Sequence, residues 1–202
     1  MNTDMDGGNT MAGNPIHGGG PRWSRWRIAR WSIPALLLLV PLVAMQVSDE
    51  WNWTPRDFVF IGTILYGAVF TYELVARKAV TTAYRAAVGV AVVTAVLLLW
   101  VNGAVGIIGD GPVNLMYFGV PAIGIAGAFI ASLEPRGMAW ALFAMALAQM
   151  LVPVIALVVW NPPFDPGVLP VFILNGVFAG LWLTSAGLFR RATPRAHVAS
   201  PA

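Results

Sequence analysis

The chain has 202 residues, of which 58% are hydrophobic and only 10% are charged. Soluble domains carry about 25% charged residues, so this composition excludes an ordinary water-soluble globular protein and predicts that lipid is the main solvent. The net charge of +3 comes from arginines spread between apolar runs, which is typical of membrane topology signals and not of a nucleic-acid-binding surface.

Residue types that often carry chemistry are absent or peripheral. The sequence contains no cysteine, which excludes disulfides, thiolate catalysis and cysteine-ligated metals. His17 and His197 lie in polar tails, so no apolar run offers an axial ligand for haem or a similar pigment. Walker-type lysine loops, nucleophile elbows and paired intramembrane carboxylates are also missing. We therefore expect a protein that is not an enzyme and that holds no cofactor or metal.

The first 30 residues are predicted to form a cytoplasmic tail. Residues 1–21 are rich in Gly, Asn, Asp and Pro, which indicates disorder. In residues 22–30 arginines alternate with tryptophans, a mixture that suits the headgroup layer of a membrane. The predicted headgroup contacts are Arg22, Arg25, Arg27 and Arg30. An RNA-binding interpretation of the same mixture is weaker, because an apolar run follows immediately.

Six apolar runs follow, each of roughly 20 residues, which is the length that a helix needs to cross about 30 Å of hydrocarbon. They cover residues 31–47, 58–76, 86–108, 115–133, 138–160 and 168–189. The first run also fits the apolar core of a cleaved signal peptide. Its long preceding tail and the poor cleavage pattern at 44–46 favour retention. The predicted fold is an all-α membrane protein with six transmembrane helices in a compact bundle.

The distribution of charge predicts the orientation of these helices. If both termini lie on one side, that side carries every Lys and Arg of the chain except Arg56. The positive-inside rule then places both termini, including the tail 190–202, in the cytoplasm. A helix count that was wrong by one would move alternate loops to the other side and remove the asymmetry.

Small residues at helical spacing indicate how the helices associate. Lipid tails give no hydrophobic reward for contact between helices, so close packing of small side chains must hold them together. The last three helices carry such faces: Gly124, Gly127, Ala128 and Ala131 in the fourth, Ala141, Ala144 and Ala148 in the fifth, and Gly176, Ala179 and Gly180 in the sixth. We expect these faces to contact neighbouring helices.

One ionisable residue lies within an apolar run. Glu73 is about one turn from the cytoplasmic end of the second helix, and an ion pair with Arg77 at i+4 would bring its charge to the interface. A proton or cation site is the functional alternative, because intramembrane carboxylates often serve function. The shallow depth of Glu73 argues against a central proton relay.

Four uncharged polar residues share the outer half of the predicted bundle: Thr63, Asn102, Gln149 and Asn175. At 1.5 Å per residue, three of them lie roughly 9–12 Å below the outer helix ends and Gln149 lies about 16 Å below. The last three helices have prolines in the same half, namely Pro121, Pro153 and Pro170. Each proline is expected to free a backbone carbonyl and to favour a kink. The polar side chains then either satisfy these carbonyls or line a small cavity for a solute.

Part of the chain resembles a known group of sequences. The segments Val101–Gly109, Asn114–Val120 and Glu134–Gln149 are similar to segments of small uncharacterised multi-spanning proteins of the bacterial inner membrane. The turn from Gly109 to Val113 is shorter than expected for that family. The resemblance implies a location in the bacterial inner membrane and carries no activity.

Two functions of different classes follow from these features. The first is a structural or accessory subunit that associates with other membrane proteins, or with itself, through small-residue faces. It predicts that the polar side chains are bonded individually to neighbouring helices and that a Gly/Ala face points outward. The alternative is a small transporter or channel for a neutral or zwitterionic solute. It predicts that Asn102, Gln149 and Asn175 point into one shared space.

Overall fold

The computed structural model describes residues 25–48, 52–109, 111–165 and 167–193. In these ranges the chain forms helices α1 Arg25–Val47, α2 Pro55–Ala76, α3 Thr82–Val105, α4 Gly119–Ile130, α5 Pro135–Ile155 and α6 Val168–Ala192. A 3₁₀ segment, Pro112–Phe118, precedes α4, and a π-helical turn, Ala156–Trp160, follows α5. With these extensions the six are long and apolar enough to span a membrane, as a multi-pass membrane protein requires.

The N-terminal boundary differs from the prediction. Helix α1 begins at Arg25 and not at residue 31, so the segment from Arg25 to Arg30 belongs to the first helix and not to the predicted tail. The predicted tail 1–21 and Arg22 lie outside the described residues, as do the side chains of Arg25 and Arg27. At the other terminus α6 continues to Ala192, into the predicted tail.

Polar caps set the starts of α2 and α3. The Asp57 carboxylate accepts a 2.7 Å hydrogen bond from the Thr54 backbone N–H, and Thr81 Oγ1 accepts one of 3.2 Å from the Tyr84 N–H. These acceptors satisfy groups that a helix start leaves without intrahelical partners. Both helices therefore begin before their apolar runs. Helix α3 also ends early, because Gly106 adopts a φ of +65° and turns the chain.

The fourth span is not one α-helix, in contrast to the prediction. It opens in 3₁₀ form and becomes α-helical at Gly119, close to Pro121, whose missing N–H cannot extend an α-helical ladder backwards. Pro170 lies in the first turn of α6, where N–H groups have no intrahelical partner, so the expectation of a freed carbonyl there is wrong. Pro153 lies inside α5, and the π-helical turn follows it.

The helices pack in the spatial order α1, α2, α3, α6, α5, α4. Helix α6 lies between α3 and α5 and supplies the large buried side chains Trp182 and Phe189. Ser185 Oγ on α6 donates a 2.7 Å hydrogen bond to the Ala87 carbonyl on α3, so these two helices approach closely. The row of helices is curved, so α2 and α4 face each other across a groove. Residues of α3 and α5 form the bottom of this groove.

The start of α3, the segment after α4 and the end of α6 lie at the same end of the protein, and this end carries most of the basic residues. The Tyr84 hydroxyl at the start of α3 donates to the Leu133 carbonyl after α4 at 2.7 Å, and its ring meets that of Phe189 near the end of α6. This end, called the basic end, carries the described residues Arg30, Arg77, Lys78, Arg85, Arg136, Arg190 and Arg191. Arg56 lies at the opposite end with Asp57 and Asp165. The predicted segregation of charge is therefore present in the described part of the chain.

The small-residue faces predicted on α4 and α6 differ in the structure, since one packs on a neighbouring helix and the other is exposed. A Cβ on Gly124 would lie 2.5 Å from Met145 Sδ, and one on Gly127 would overlap Ala141, so α4 packs on α5 through glycines as expected. Gly176 and Gly180 on α6 are exposed, with open space where a Cβ would lie. The expectation that they hold neighbouring helices is wrong, because the large side chains of α6 turn the opposite face of the helix inward.

Candidate functional site

The main intramembrane polar cluster lies between α5, α6 and the 3₁₀ segment. It consists of Tyr117, Gln149, Asn175 and Trp182, and we call it the polar core. Gln149 Nε2 donates to Asn175 Oδ1 at 2.9 Å, and Asn175 Nδ2 donates to the Tyr117 hydroxyl at 3.0 Å. Trp182 Nε1 donates to Gln149 Oε1 at 3.4 Å. The four side chains thus form one connected hydrogen-bond network.

Helical periodicity brings these side chains together. Asn175 and Trp182 are two turns apart on α6 and therefore lie on the same face, where Gln149 of α5 reaches both. Asn175 Nδ2 also donates to the Val171 carbonyl on its own helix at 2.8 Å. The 3₁₀ segment places Tyr117 beside Asn175 because it folds back from the end of α3 over α5.

The polar core is closed. All four of its side chains are 0% exposed, so a solute has no access to them without movement of helices. In a lipid environment an unpaired amide is destabilising, and here each amide has both a donor and an acceptor contact. The arrangement fits a structural role in holding α5, α6 and the 3₁₀ segment together.

Asn102 belongs to a different site. Its Nδ2 donates to the Asn114 carbonyl at 3.1 Å, and its side chain is not bonded to the polar core. The Asn114 side chain in turn accepts from the Ile107 and Ile108 N–H groups at 3.0 and 3.1 Å and donates to the Gly109 carbonyl. The two asparagines hold the turn after α3. Asn102 Oδ1 is buried and has no hydrogen-bond partner among the described residues.

The predicted set of four polar side chains therefore divides. Gln149 and Asn175 meet, Asn102 supports a turn, and the exposed Thr63 donates to the Val59 carbonyl of its own helix at 2.7 Å. Tyr117 and Asn114 were not among the predicted site residues. An asparagine after a glycine-rich turn is a recognised turn-forming signal that points to Asn114. No comparable signal marks Tyr117, because its partner lies far away in the sequence.

The Glu73 carboxylate pairs with a residue other than the predicted one. Its Oε1 lies 3.7 Å from Arg30 Nη2 on α1, and the expectation of a pair with Arg77 is wrong. Helix α1 packs on α2 and brings Arg30 to a carboxylate that is only 10% exposed, whereas Arg77 is an exposed residue. Arg30, Glu73, Arg77 and Arg85 line one cavity of about 420 Å³ at the basic end.

An apolar groove of about 320 Å³ opens between α2 and α4, and we call it the α2–α4 groove. Its lining is mostly apolar and includes large side chains such as Leu99 and Ile125. Small residues contribute from four helices: Gly67 and Ala68 of α2, Ala91 and Ala95 of α3, Gly124 and Ala128 of α4, and Ala141 of α5. Within the described part of the chain, no atom beyond the adjoining backbone of α2 lies within 4 Å of the point where a Cβ on Gly67 would stand. The groove therefore offers exposed backbone and small side chains to the surrounding lipid.

Comparison of the chain with protein-family models, curated proteins and solved structures finds no match. Within the described ranges, no three His, Asp or Glu side chains come together where they could hold a metal ion.

Proposed function

We propose that this chain is a non-enzymatic accessory subunit of the bacterial inner membrane that associates with other membrane proteins. The α2–α4 groove, which is open, predominantly apolar and lined in part by small residues, is the single observation that carries the proposal. Its proposed occupant is a transmembrane helix of a partner protein. Both termini lie in the cytoplasm in this proposal, because the basic end collects the described positive charge except Arg56.

The lining of the groove suits a helix. Helices associate in lipid when small residues let their backbones approach and make dense van der Waals contact. Ala91 and Ala95 of α3 are four residues apart and lie on one face of that helix along the groove, where their side chains are small. The open flank at Gly67 gives a partner helix a backbone surface that no described side chain covers.

The closed polar core weighs against the alternative of a small transporter or channel. That function needs Asn102, Gln149 and Asn175 in one accessible space. Gln149 and Asn175 have no exposed surface, and Asn102 supports the turn after α3. The bond between Gln149 and Asn175 joins α5 to α6, and such interhelical adhesion supports the accessory subunit.

The test is co-purification of the tagged chain in a mild detergent, with mass spectrometry of the associated proteins. We expect membrane subunits in stoichiometric amount. Gly67→Leu fills the flank of the groove and should remove them. Gly176→Leu is the matched control, since it also replaces a helical glycine that has open space beside it, and it should keep them.

Two outcomes would overturn the proposal. One is a chain that purifies without any stoichiometric protein, with or without lipid in the groove. The other is a partner that withstands Gly67→Leu as well as Gly176→Leu, which would place the contact on another surface. Uptake assays on Asn175 variants would then become the next measurement.

A further inference from the structure

A second groove lies between α5 and α6 at the basic end and shares no lining residue with the α2–α4 groove. Its volume is about 470 Å³, and we call it the α5–α6 groove. The residues that matter here are Arg136, Trp140 and Phe143 of α5 and Leu183, Gly187 and Arg190 of α6. They form a charged end and an apolar body.

The charged end consists of two guanidinium groups. Arg136 lies in the first turn of α5 and Arg190 in the last turn of α6, and both are exposed. Among the described residues, no carboxylate lines the groove and neither arginine has an ion-pair partner. The charged end therefore has two positive charges that no described residue of the groove neutralises.

The apolar body begins one helical turn away from the arginines. Trp140 is 68% exposed, its ring meets Phe143 edge-on at 6.0 Å, and Leu183 opposite them is 46% exposed. Gly187 has open space at its Cβ position and leaves the groove unobstructed. From arginine to far end the groove follows seven residues of each helix, or about 10 Å.

We propose that the α5–α6 groove binds one anionic phospholipid from the leaflet that borders the basic end. The headgroup phosphate lies between Arg136 and Arg190, and an acyl chain lies between the aromatic pair of α5 and Leu183 and Gly187 of α6. Guanidinium groups suit phosphate because their planar N–H donors can bond two phosphate oxygens at once. The absence of a carboxylate from the lining favours a lipid with net negative charge over a zwitterionic one.

The other arginine-lined cavity at the basic end lacks this combination. Its carboxylate, Glu73, already pairs with Arg30, and only Tyr72 and Ala76 among its described lining residues are apolar or aromatic. Arg77 and Arg85 in that cavity are exposed basic residues at the same end of the bundle. They provide a matched control for the removal of two positive charges.

The experiment is a lipid titration of the delipidated full-length chain in detergent, followed by native mass spectrometry. The probes are dioleoylphosphatidylglycerol, dioleoylphosphatidylcholine with the same chains, and inorganic phosphate. We expect one phosphatidylglycerol to bind more tightly than phosphatidylcholine. Arg136→Gln with Arg190→Gln should weaken phosphatidylglycerol binding about tenfold or more, because two charge-assisted contacts are lost.

Two further variants test whether binding depends on the location of the positive charges and on the acyl chain. Arg77→Gln with Arg85→Gln should leave binding within about twofold of the wild type. Gly187→Leu fills the apolar body and should weaken both lipids, while the arginines remain in place. Circular dichroism checks that each variant keeps its helical content.

The proposal is overturned if both lipids bind alike, or if the control pair of substitutions weakens phosphatidylglycerol binding as much as the loss of Arg136 and Arg190. It is also overturned if inorganic phosphate displaces the lipid fully and Gly187→Leu has no effect. That last result would assign the arginines to a soluble phosphate and remove the role of the acyl chain.

Discussion

Gln149 on α5 donates a 2.9 Å hydrogen bond to Asn175 on α6, and neither side chain has any exposed surface. The bond lies between the two helices that pack together most extensively. Through Asn175 it also reaches Tyr117 of the 3₁₀ segment, so one buried amide joins three parts of the chain.

Removal of the Asn175 amide should destabilise the fold and leave other properties unchanged. Asn175→Leu leaves Gln149 Nε2 and the Tyr117 hydroxyl without their partner, and the free energy of unfolding should fall by about 1–3 kcal/mol. Denaturant unfolding followed by circular dichroism measures the change. Thr63→Ala is the control, because Thr63 is exposed and its hydroxyl bonds, among the described residues, only the Val59 carbonyl of its own helix. Its effect should stay within about 0.5 kcal/mol.

A double-mutant cycle isolates the contact itself. Gln149→Leu with Asn175→Leu replaces both partners by apolar side chains and should lose less stability than the sum of the single substitutions. Simple additivity of the two losses would mean that the 2.9 Å contact contributes nothing to the stability of the bundle.

The ion pair between α1 and α2 predicts an asymmetry among the arginines. Arg30→Gln leaves the nearly buried Glu73 carboxylate without its partner and should lower the free energy of unfolding by about 1–2 kcal/mol. Arg77→Gln should change it by less than about 0.5 kcal/mol, because Arg77 is exposed. Adding Glu73→Gln to Arg30→Gln should restore most of the loss. A larger loss of unfolding free energy for Arg77→Gln than for Arg30→Gln would instead indicate that Glu73 pairs with Arg77.

Two glycines of the small-residue faces should respond to alanine with opposite signs. Gly127→Ala places a Cβ against Ala141 and should destabilise the chain by about 1–3 kcal/mol, since α4 and α5 must move apart. Gly176→Ala enters open space and should be neutral or stabilising by up to about 1 kcal/mol, because alanine favours helix. Thermal stability in detergent measures both, and equal effects would contradict the close contact at Gly127.

Orientation in the membrane can be tested by labelling, since the chain has no native cysteine. Val80→Cys lies at the basic end at a residue that is 96% exposed, and Asp165→Cys lies at the opposite end. In intact cells a membrane-impermeant maleimide should label Asp165→Cys and spare Val80→Cys, and permeabilisation should expose both. The reverse pattern would place the basic end outside.

Much of the fold could be predicted from the sequence, because a membrane-spanning helix needs its own apolar run of sufficient length. Lipid offers no hydrogen bonds to the backbone, so each run must satisfy its polar groups locally and therefore forms a helix. The separation of Arg56 from the other described basic residues could also be predicted, because six spans place successive loops on alternate sides of the membrane. Small errors arose at caps and at Pro121, where local chemistry moves a boundary or changes the type of helix.

The candidate sites were less predictable, because they depend on how each helix is rotated about its axis. The prediction placed Asn102 with Gln149 and Asn175 by depth alone, and depth does not say which face of a helix turns inward. Glu73 had a possible partner on its own helix, but the packing of α1 supplied Arg30. The outward direction of Gly176 likewise follows from the large side chains on the opposite face of α6.

The sequence by itself determined the class of protein, the number of candidate spans and the separation of charge between the two ends. These properties depend on local composition, because each membrane-spanning helix needs its own apolar run and its flanking charges are given by the adjacent sequence. Only the tertiary structure decided that Gln149 meets Asn175, that Arg30 meets Glu73 and that two grooves with different linings face outward. Contacts of this kind depend on which helices are neighbours and on how each helix is rotated about its axis. Both are set by the packing of side chains from all the helices together.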